Sequence, residues 1–228
     1  MQGILCGLRY THPATQIFSL MAKPFLTDES KKALADAVHA VESTCSAELV
    51  VAVRARSGSY LAAALLAGIV AGYATLAFLL FSPWEFGLVW FLVDPALAGA
   101  LAVLAALRVP ALTRFLSRPA TRLRHVATAA RATFVEKGID RTTGRTGILL
   151  YISLLEREAE VVVDAGVEAL AATDVWRQAI GAIREAVRRG ADGIEVAARI
   201  RALGEILAPA LERSPEDVNE LPNEVHGT

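Results

Sequence analysis

Between Tyr60 and Leu107 the chain carries no Lys or Arg and only two acids, Glu85 and Asp94. Tyr60 to Phe81 is 22 residues without a charge. As a helix it reaches about 33 Å, enough to cross a hydrocarbon core of about 30 Å. Gly87 to Leu107 supplies a second apolar stretch of 21 residues, and the intervening SPWEF, Ser82 to Phe86, leaves room only for a tight connection. Residues 60–107 therefore read as a transmembrane helical hairpin in the lipid bilayer, with Trp84 and Trp90 as aromatic anchors beside the connection. Gly68, Gly72 and Gly99 permit close helix contact, and the Gly68-x-x-x-Gly72 pattern also offers a face for a homo-oligomer.

Basic residues set the expected orientation. Arg54 and Arg56 precede the first span, Arg108, Arg114, Arg118, Arg122, Arg124 and Arg131 follow the second, and the SPWEF loop has none. The bias predicts an inner-membrane, multi-pass protein with two spans and both termini cytoplasmic. The arginine run is either this topology signal alone or also a contact with anionic headgroups. Asp94-Pro95 is the intramembrane oddity, because a carboxylate at such depth costs a few kcal/mol. It reads as a kink or re-set helix start with Asp94 as N-cap, or else as a proton or partner site. One carboxylate without a second span-borne ionisable group does not make a transporter.

Outside residues 60–107, 22 acids and 23 bases remain in 180 positions, the one-in-four share of an ordinary soluble domain. A net charge of −1 argues against a nucleic-acid partner. Cys6 and Cys45 are too few for a disulfide scaffold, and His12, His39, His125 and His226 are scattered without zinc-ligand spacing. The start of the chain lacks the continuous apolar region of a signal peptide, so residues 1–24 are expected to be an extension.

The flanking segments carry soluble-domain patterns. In residues 25–58, a helix starts at Thr27 or Asp28 with Leu34, Val38, Val41 and Cys45 on one face, and a buried strand covers Ala47 to Ala55. In residues 108–212, a helix interrupted near Pro119 ends at Gly138, and two β-rich runs, Thr146–Leu154 and Glu158–Gly166, form a hairpin around a solvated LEREA turn. Two helices follow, from about Asp174 to Arg189 and from about Asp192 to Leu211, before an acidic tail, 213–228, expected to be disordered. Neither flank has enough strands for a sheet of its own. They are expected to pack into one α/β domain with the membrane hairpin as an insertion.

The order of elements, with ELVVAV at 48–53 and GILLYISLLEREAEVVVDAGVEA at 147–169, resembles the TPM domain family, whose thylakoid-lumen members are described as acid phosphatases. The likeness covers about residues 25–55 and 120–210 and is greatest to bacterial members with a two-helix insertion. It implies an α/β/α sandwich. It also implies acidic chemistry resembling a divalent-cation site, with Glu48, Asp164 and Glu168 at acidic or near-acidic family positions and thus candidate catalytic carboxylates. Where many family members have Asp-Asn before the second strand, this chain has Arg145 and Thr146. A guanidinium is no metal ligand, so no resident metal or other cofactor is expected.

The RTTGRTG segment supplies arginine forks, hydroxyls and backbone N–H groups, and Arg141, Arg145 and Thr146 are candidate anion-binding residues. The alternative is a structural turn pairing with Glu156, Glu158 or Glu160. No phosphate loop, nucleophile elbow or dinucleotide fingerprint is present. The expected function is a non-catalytic, membrane-anchored accessory or interaction module for a membrane complex whose protein partner the sequence does not name. The alternative is a metal-dependent phosphatase of the TPM type.

Overall fold

The computed structural model describes residues 25–211 and 226–227, so the expected extension, 1–24, lies outside the described residues. The first helix, α1 (Asp28–Glu42), starts where Thr27 Oγ1 accepts the backbone N–H of Ser30 at 3.0 Å. Such a cap contributes about 1 kcal/mol. Its Leu34, Val38 and Val41, with Cys45 beyond its end, are buried as the spacing predicts.

Strand β1 (Glu48–Arg54) pairs in parallel with β2 (Gly147–Ser153), and β2 pairs antiparallel with β3 (Glu158–Val163). A two-residue strand, β4 (His226–Gly227), continues the sheet beside Ala52 and Val53 of β1. The expectation of a disordered tail therefore fails at these two residues, which find free backbone partners on the edge of β1. Residues 212–225 and 228 lie outside the described ones.

β1 reads as a nearly continuous apolar run because both of its faces are covered. Leu49, Val51 and Val53 enter one core with Leu34, Val38 and Val41 of α1, together with α7 (Asp174–Arg189) and α8 (Gly193–Leu207). Val50 and Ala52 enter a second core with Leu149, Tyr151 and Val126, Ala130 and Phe134 of α5 (Pro119–Glu136). Helices thus lie on both faces of a small mixed sheet. Trp176, on α7, is core.

Helices α2 (Leu61–Phe81) and α3 (Trp90–Arg108) form an antiparallel pair, and both are long and apolar enough to cross a membrane. Their contact explains the glycines. A Cβ on Gly68 would lie 2.9 Å from the carbonyl oxygen of Gly99, and one on Gly99 would lie 3.0 Å from that of Gly68. Asp94 does not re-start the second helix. Val89, not Asp94, is its N-cap residue, and Pro95 lies inside it. Trp90 already takes helical geometry, so Asp94 has no free helix end to cap. Pro95, the sixth residue of the helix, lacks the N–H that would otherwise bond the Phe91 carbonyl one turn earlier.

The short α4 (Pro110–Leu116) and α5 each begin with proline in the first turn, and Gly138 ends the second with φ +66. A 3₁₀ turn, Ile139–Arg141, leads back into the sheet and lies so close that a Cβ on Gly147 would come within 2.3 Å of the Ile139 carbonyl oxygen. After β3, a 3₁₀ turn, Ala165–Val167, and the four-residue α6 (Glu168–Ala171) lead to α7. Helix α7 is capped by Thr173 and ends at Gly190 with φ +81, and Asp192 caps α8 through the N–H of Glu195 at 2.9 Å.

Candidate functional site

The parallel pair gives the domain two poles, about 20 Å apart over seven residues of strand. At the distal pole lie the starts of β1 and β2 and the end of β3. It collects most of the residues singled out from sequence. Glu48 opens β1 opposite Gly147, Asp164 follows β3, and Arg145 and Thr146 precede β2.

Arg145 is held in the left-handed region at φ 52, uncommon for a side-chain-bearing residue. Its Nη2 and Nε donate to the same oxygen of Asp164, Oδ1, at 2.8 and 3.1 Å. The Arg145 side chain is 61% exposed and that of Asp164 only 4%, so the pair is a lid over a buried carboxylate. Hydrogen bonds from this guanidinium hold the Asp164 carboxyl below its usual range, against the opposing effect of burial. The N–H of Ala165 also donates to Oδ1 at 2.7 Å, whereas Oδ2 is buried without a hydrogen-bond partner. Thr146 Oγ1 donates to the Ser46 carbonyl at 2.7 Å. Arg141 is exposed at the end of its turn.

The arginine turn pairs differently from the expectation, since Arg145 takes Asp164 while Glu158 and Glu160 pair with Arg188 and Arg184 of α7. The antiparallel register carries both glutamates beside α7, out of reach of the RTTGRTG segment. Asp140 and Glu168 add negative charge near the Arg145 guanidinium. Asp140 has a buried, unpartnered oxygen and was not singled out, because its pattern in sequence is that of any turn aspartate. A divalent cation does not fit this donor set, because Asp164 is only 4% exposed and its Oδ1 already faces the Arg145 guanidinium. Among the described residues no three His, Cys, Asp or Glu side chains gather as a ligand set.

At the opposite pole, where β1 and β2 end, the chain enters α2. Here the LEREA turn departs from the solvated reading. Glu156 is 2% exposed. Its Oε1 accepts the Ser57 N–H at 3.0 Å and the Tyr60 hydroxyl at 2.8 Å, and its Oε2 accepts the Ser153 hydroxyl. Ser57 Oγ donates to Ser153 Oγ at 2.7 Å and lies 3.1 Å from the Tyr151 hydroxyl. Every donor in the chain thus points toward one carboxyl group, an arrangement in which neighbouring hydrogen bonds reinforce one another. Left-handed geometry at Arg157, φ 53, closes the turn, and the N–H groups of Leu154 and Leu155 extend the pairing to the carbonyls of Arg54 and Ala55. Nothing in LEREAE itself signals this burial, because the donors arrive from nearly a hundred residues upstream. Asp94 sits half-buried in α3, far along the chain from either pole.

No family model matches this chain, and no curated protein matches it significantly. Among solved structures, the NMR structure of BA42 protein from the psychrophilic bacterium Bizionia argentinensis is similar, with a TM-score of 0.55 and 18% identity. The match covers 90% of this chain and 97% of that one. At that identity, the likeness is one of fold.

Proposed function

We propose that this chain is a membrane-anchored, TPM-like α/β module that serves a membrane complex without catalysing a reaction. The hairpin crosses the inner membrane, both termini are cytoplasmic, and the distal pole is the surface offered to a protein partner. The observation that carries the anchoring is the contrast in burial between the hairpin and the domain. The domain completes two cores of its own, while large apolar side chains on α2 and α3 stay bare, Leu66 at 61% and Leu92 at 78% exposed. Such helices need an apolar solvent. The Arg145–Asp164 lid favours the non-catalytic reading, since it neutralises the best-placed carboxylate.

Glu48, Asp164 and Glu168 do gather at one end of the sheet, and this favours the phosphatase of the TPM type as the second reading. Two experiments separate them. Purified full chain is expected to show no phosphomonoesterase turnover above background with Mg²⁺ or Ca²⁺, and metal-dependent turnover abolished by Asp164→Asn would replace the first reading by the second. A cysteine placed at Ser82 is expected to react with an impermeant reagent from the periplasmic side, and labelling from the cytoplasmic side alone would reverse the orientation.

A further inference from the structure

The arginines of this protein differ in what holds them. Arg145, Arg177, Arg184, Arg188, Arg189 and Arg199 each reach a carboxylate within 4.0 Å. Around the hairpin root, Arg114, Arg118, Arg122, Arg124 and Arg157 have no such partner among the described residues, and no acid occurs between Asp94 and Glu136. The positive charge is held in place by neutral groups instead. Arg122 Nη1 donates to the carbonyls of Arg114 and Ser117 at 2.7 and 2.9 Å, and its Nε is buried with no acceptor. Arg114 Nη1 donates to the Leu155 carbonyl at 3.2 Å. Burial, then the charges of Arg157 and Arg122, disfavour its protonated form.

The cluster has a definite place. Thr113 Oγ1 donates to the Ala106 carbonyl at 2.6 Å and so folds α4 back on the end of α3, the root of the second apolar helix. Phe115, next to Arg114 on α4, is 85% exposed. An aromatic ring bare to solvent, flanked by uncompensated guanidiniums at the level where an apolar helix ends, is suited to a charged and partly apolar boundary. Neutral carbonyls orient these guanidiniums but leave their charge uncancelled, and phosphate oxygens are the acceptors that guanidinium forks match best.

The geometry points to a headgroup site on α4 and α5 for anionic phospholipids of the cytoplasmic leaflet, with Arg114 and Arg122 held by carbonyls, Arg118 and Arg124 exposed beside them, and Phe115 entering the acyl boundary. This inference rests on the membrane-anchored reading. The site would set the height and tilt of the α/β domain over the bilayer, because Arg114 is bonded to the same turn that carries Glu156.

The test uses the full chain reconstituted in vesicles of phosphatidylcholine alone and of phosphatidylcholine with phosphatidylglycerol. Spin-labelled forms of the two lipids report which one collects at the protein. Phosphatidylglycerol is expected to be preferred, and Arg118→Gln with Arg124→Gln to lower that preference by up to roughly fivefold per arginine, about 1 kcal/mol each, less at high salt. Arg201→Gln, exposed on α8, is expected to leave it unchanged. Both variants should resist alkaline extraction from neutral vesicles as the parent does. Failure of the parent to insert in either vesicle would overturn the anchored reading and the site with it. Complete insertion with no lipid preference, or with a preference untouched by the double variant, would overturn the site alone. Loss of the preference to inorganic phosphate but not to chloride of equal ionic strength would make it a free-phosphate site and overturn the lipid assignment.

Discussion

Replacing Glu156 tests whether the hairpin root is held by hydrogen bonding to one buried acceptor. In Glu156→Ala, three donors lose their acceptor: the Ser57 N–H, the Tyr60 hydroxyl and the Ser153 hydroxyl. Ser153 can turn to Ser57 Oγ at 2.7 Å, and Ser57 to Tyr151 at 3.1 Å, so those two hydroxyls recover and the stranded donor of that branch becomes the Tyr151 hydroxyl. The Ser57 N–H and Tyr60 hydroxyl do not recover, and each stranded donor costs about 1–3 kcal/mol. Lost methylene burial adds roughly 0.8 kcal/mol per group. The expected loss is about 4 kcal/mol or more. Glu156→Gln behaves differently, because its carbonyl oxygen can keep both Oε1 partners while its NH₂ donates to Ser153 Oγ and the hydroxyl chain reverses. That substitution strands the Tyr151 hydroxyl alone and is expected to cost about 1–3 kcal/mol, less than Glu156→Ala. Unfolding of the detergent-solubilised full chain, followed by Trp176 fluorescence in a Trp84→Phe/Trp90→Phe background, measures both. Exchange of the Ser57 amide hydrogen should accelerate roughly a hundredfold or more in the alanine variant if local opening governs it. Equal losses for Ala and Gln would show that charge, not hydrogen bonding, holds the root, and a loss under about 1 kcal/mol for Ala would refute the reasoning outright.

Three other perturbations address separate parts of the structure. Gly68→Leu should destabilise the hairpin by about 1–3 kcal/mol in detergent thermal melts, because its Cβ meets the Gly99 backbone. Gly87→Ala, whose nearest atom lies 3.8 Å away, should not. Gly58→Ala places a Cβ 1.9 Å from His125 Nδ1, in a ring that packs on Tyr60 at 5.3 Å between centroids, and should cost a similar amount in the same assay. Arg145→Gln should move acid unfolding to higher pH. A carboxyl depressed in the folded state contributes stability above its unfolded pKa, about 3.9, and loses it as pH falls through the lower folded value. Removing the guanidinium narrows that gap, so an unchanged acid midpoint, read by circular dichroism, would show that Asp164 owes nothing to Arg145.

What was legible in the sequence is what depends on neighbours along the chain. The i, i+4, i+7 spacing of Leu34, Val38 and Val41, the helix ending at Arg189 before Gly190, the helix start near Asp192 and the two apolar stretches all follow from local rules and appear where expected, although Thr173 rather than Asp174 caps α7. Glu156 and Asp164 follow from distant partners. A glutamate in a polar turn has the pattern of a solvated residue until Ser57 and Tyr60 arrive from across the insertion. Arg145 offered three plausible glutamates nearby in sequence, and its pairing was decided instead by the hairpin register that brings Asp164 beside Gly147. Asp94-Pro95 misled for a related reason. Helix α3 starts at Trp90 and runs on through Pro95, so Asp94 lies inside it and caps no helix end.

The position of the insertion has a physical logic. A parallel pair such as β1 and β2 cannot be joined by a tight turn and needs a crossover that packs on the sheet. Here residues 55–146 make the crossover, and α5 alone covers the sheet face, through Val126, Ala130 and Phe134. The hairpin is additional to what the connection requires. It leaves the domain at the carboxyl ends of the strands, the place where open α/β sheets ordinarily keep their ligand crevice. In this protein that place is filled by Tyr60, Ser57 and the buried Glu156. The crevice has become a joint. A helical hairpin rooted there orients the whole sheet relative to the apolar helices. The distal pole, with Arg145 over Asp164, lies at the opposite end of the sheet, away from that joint.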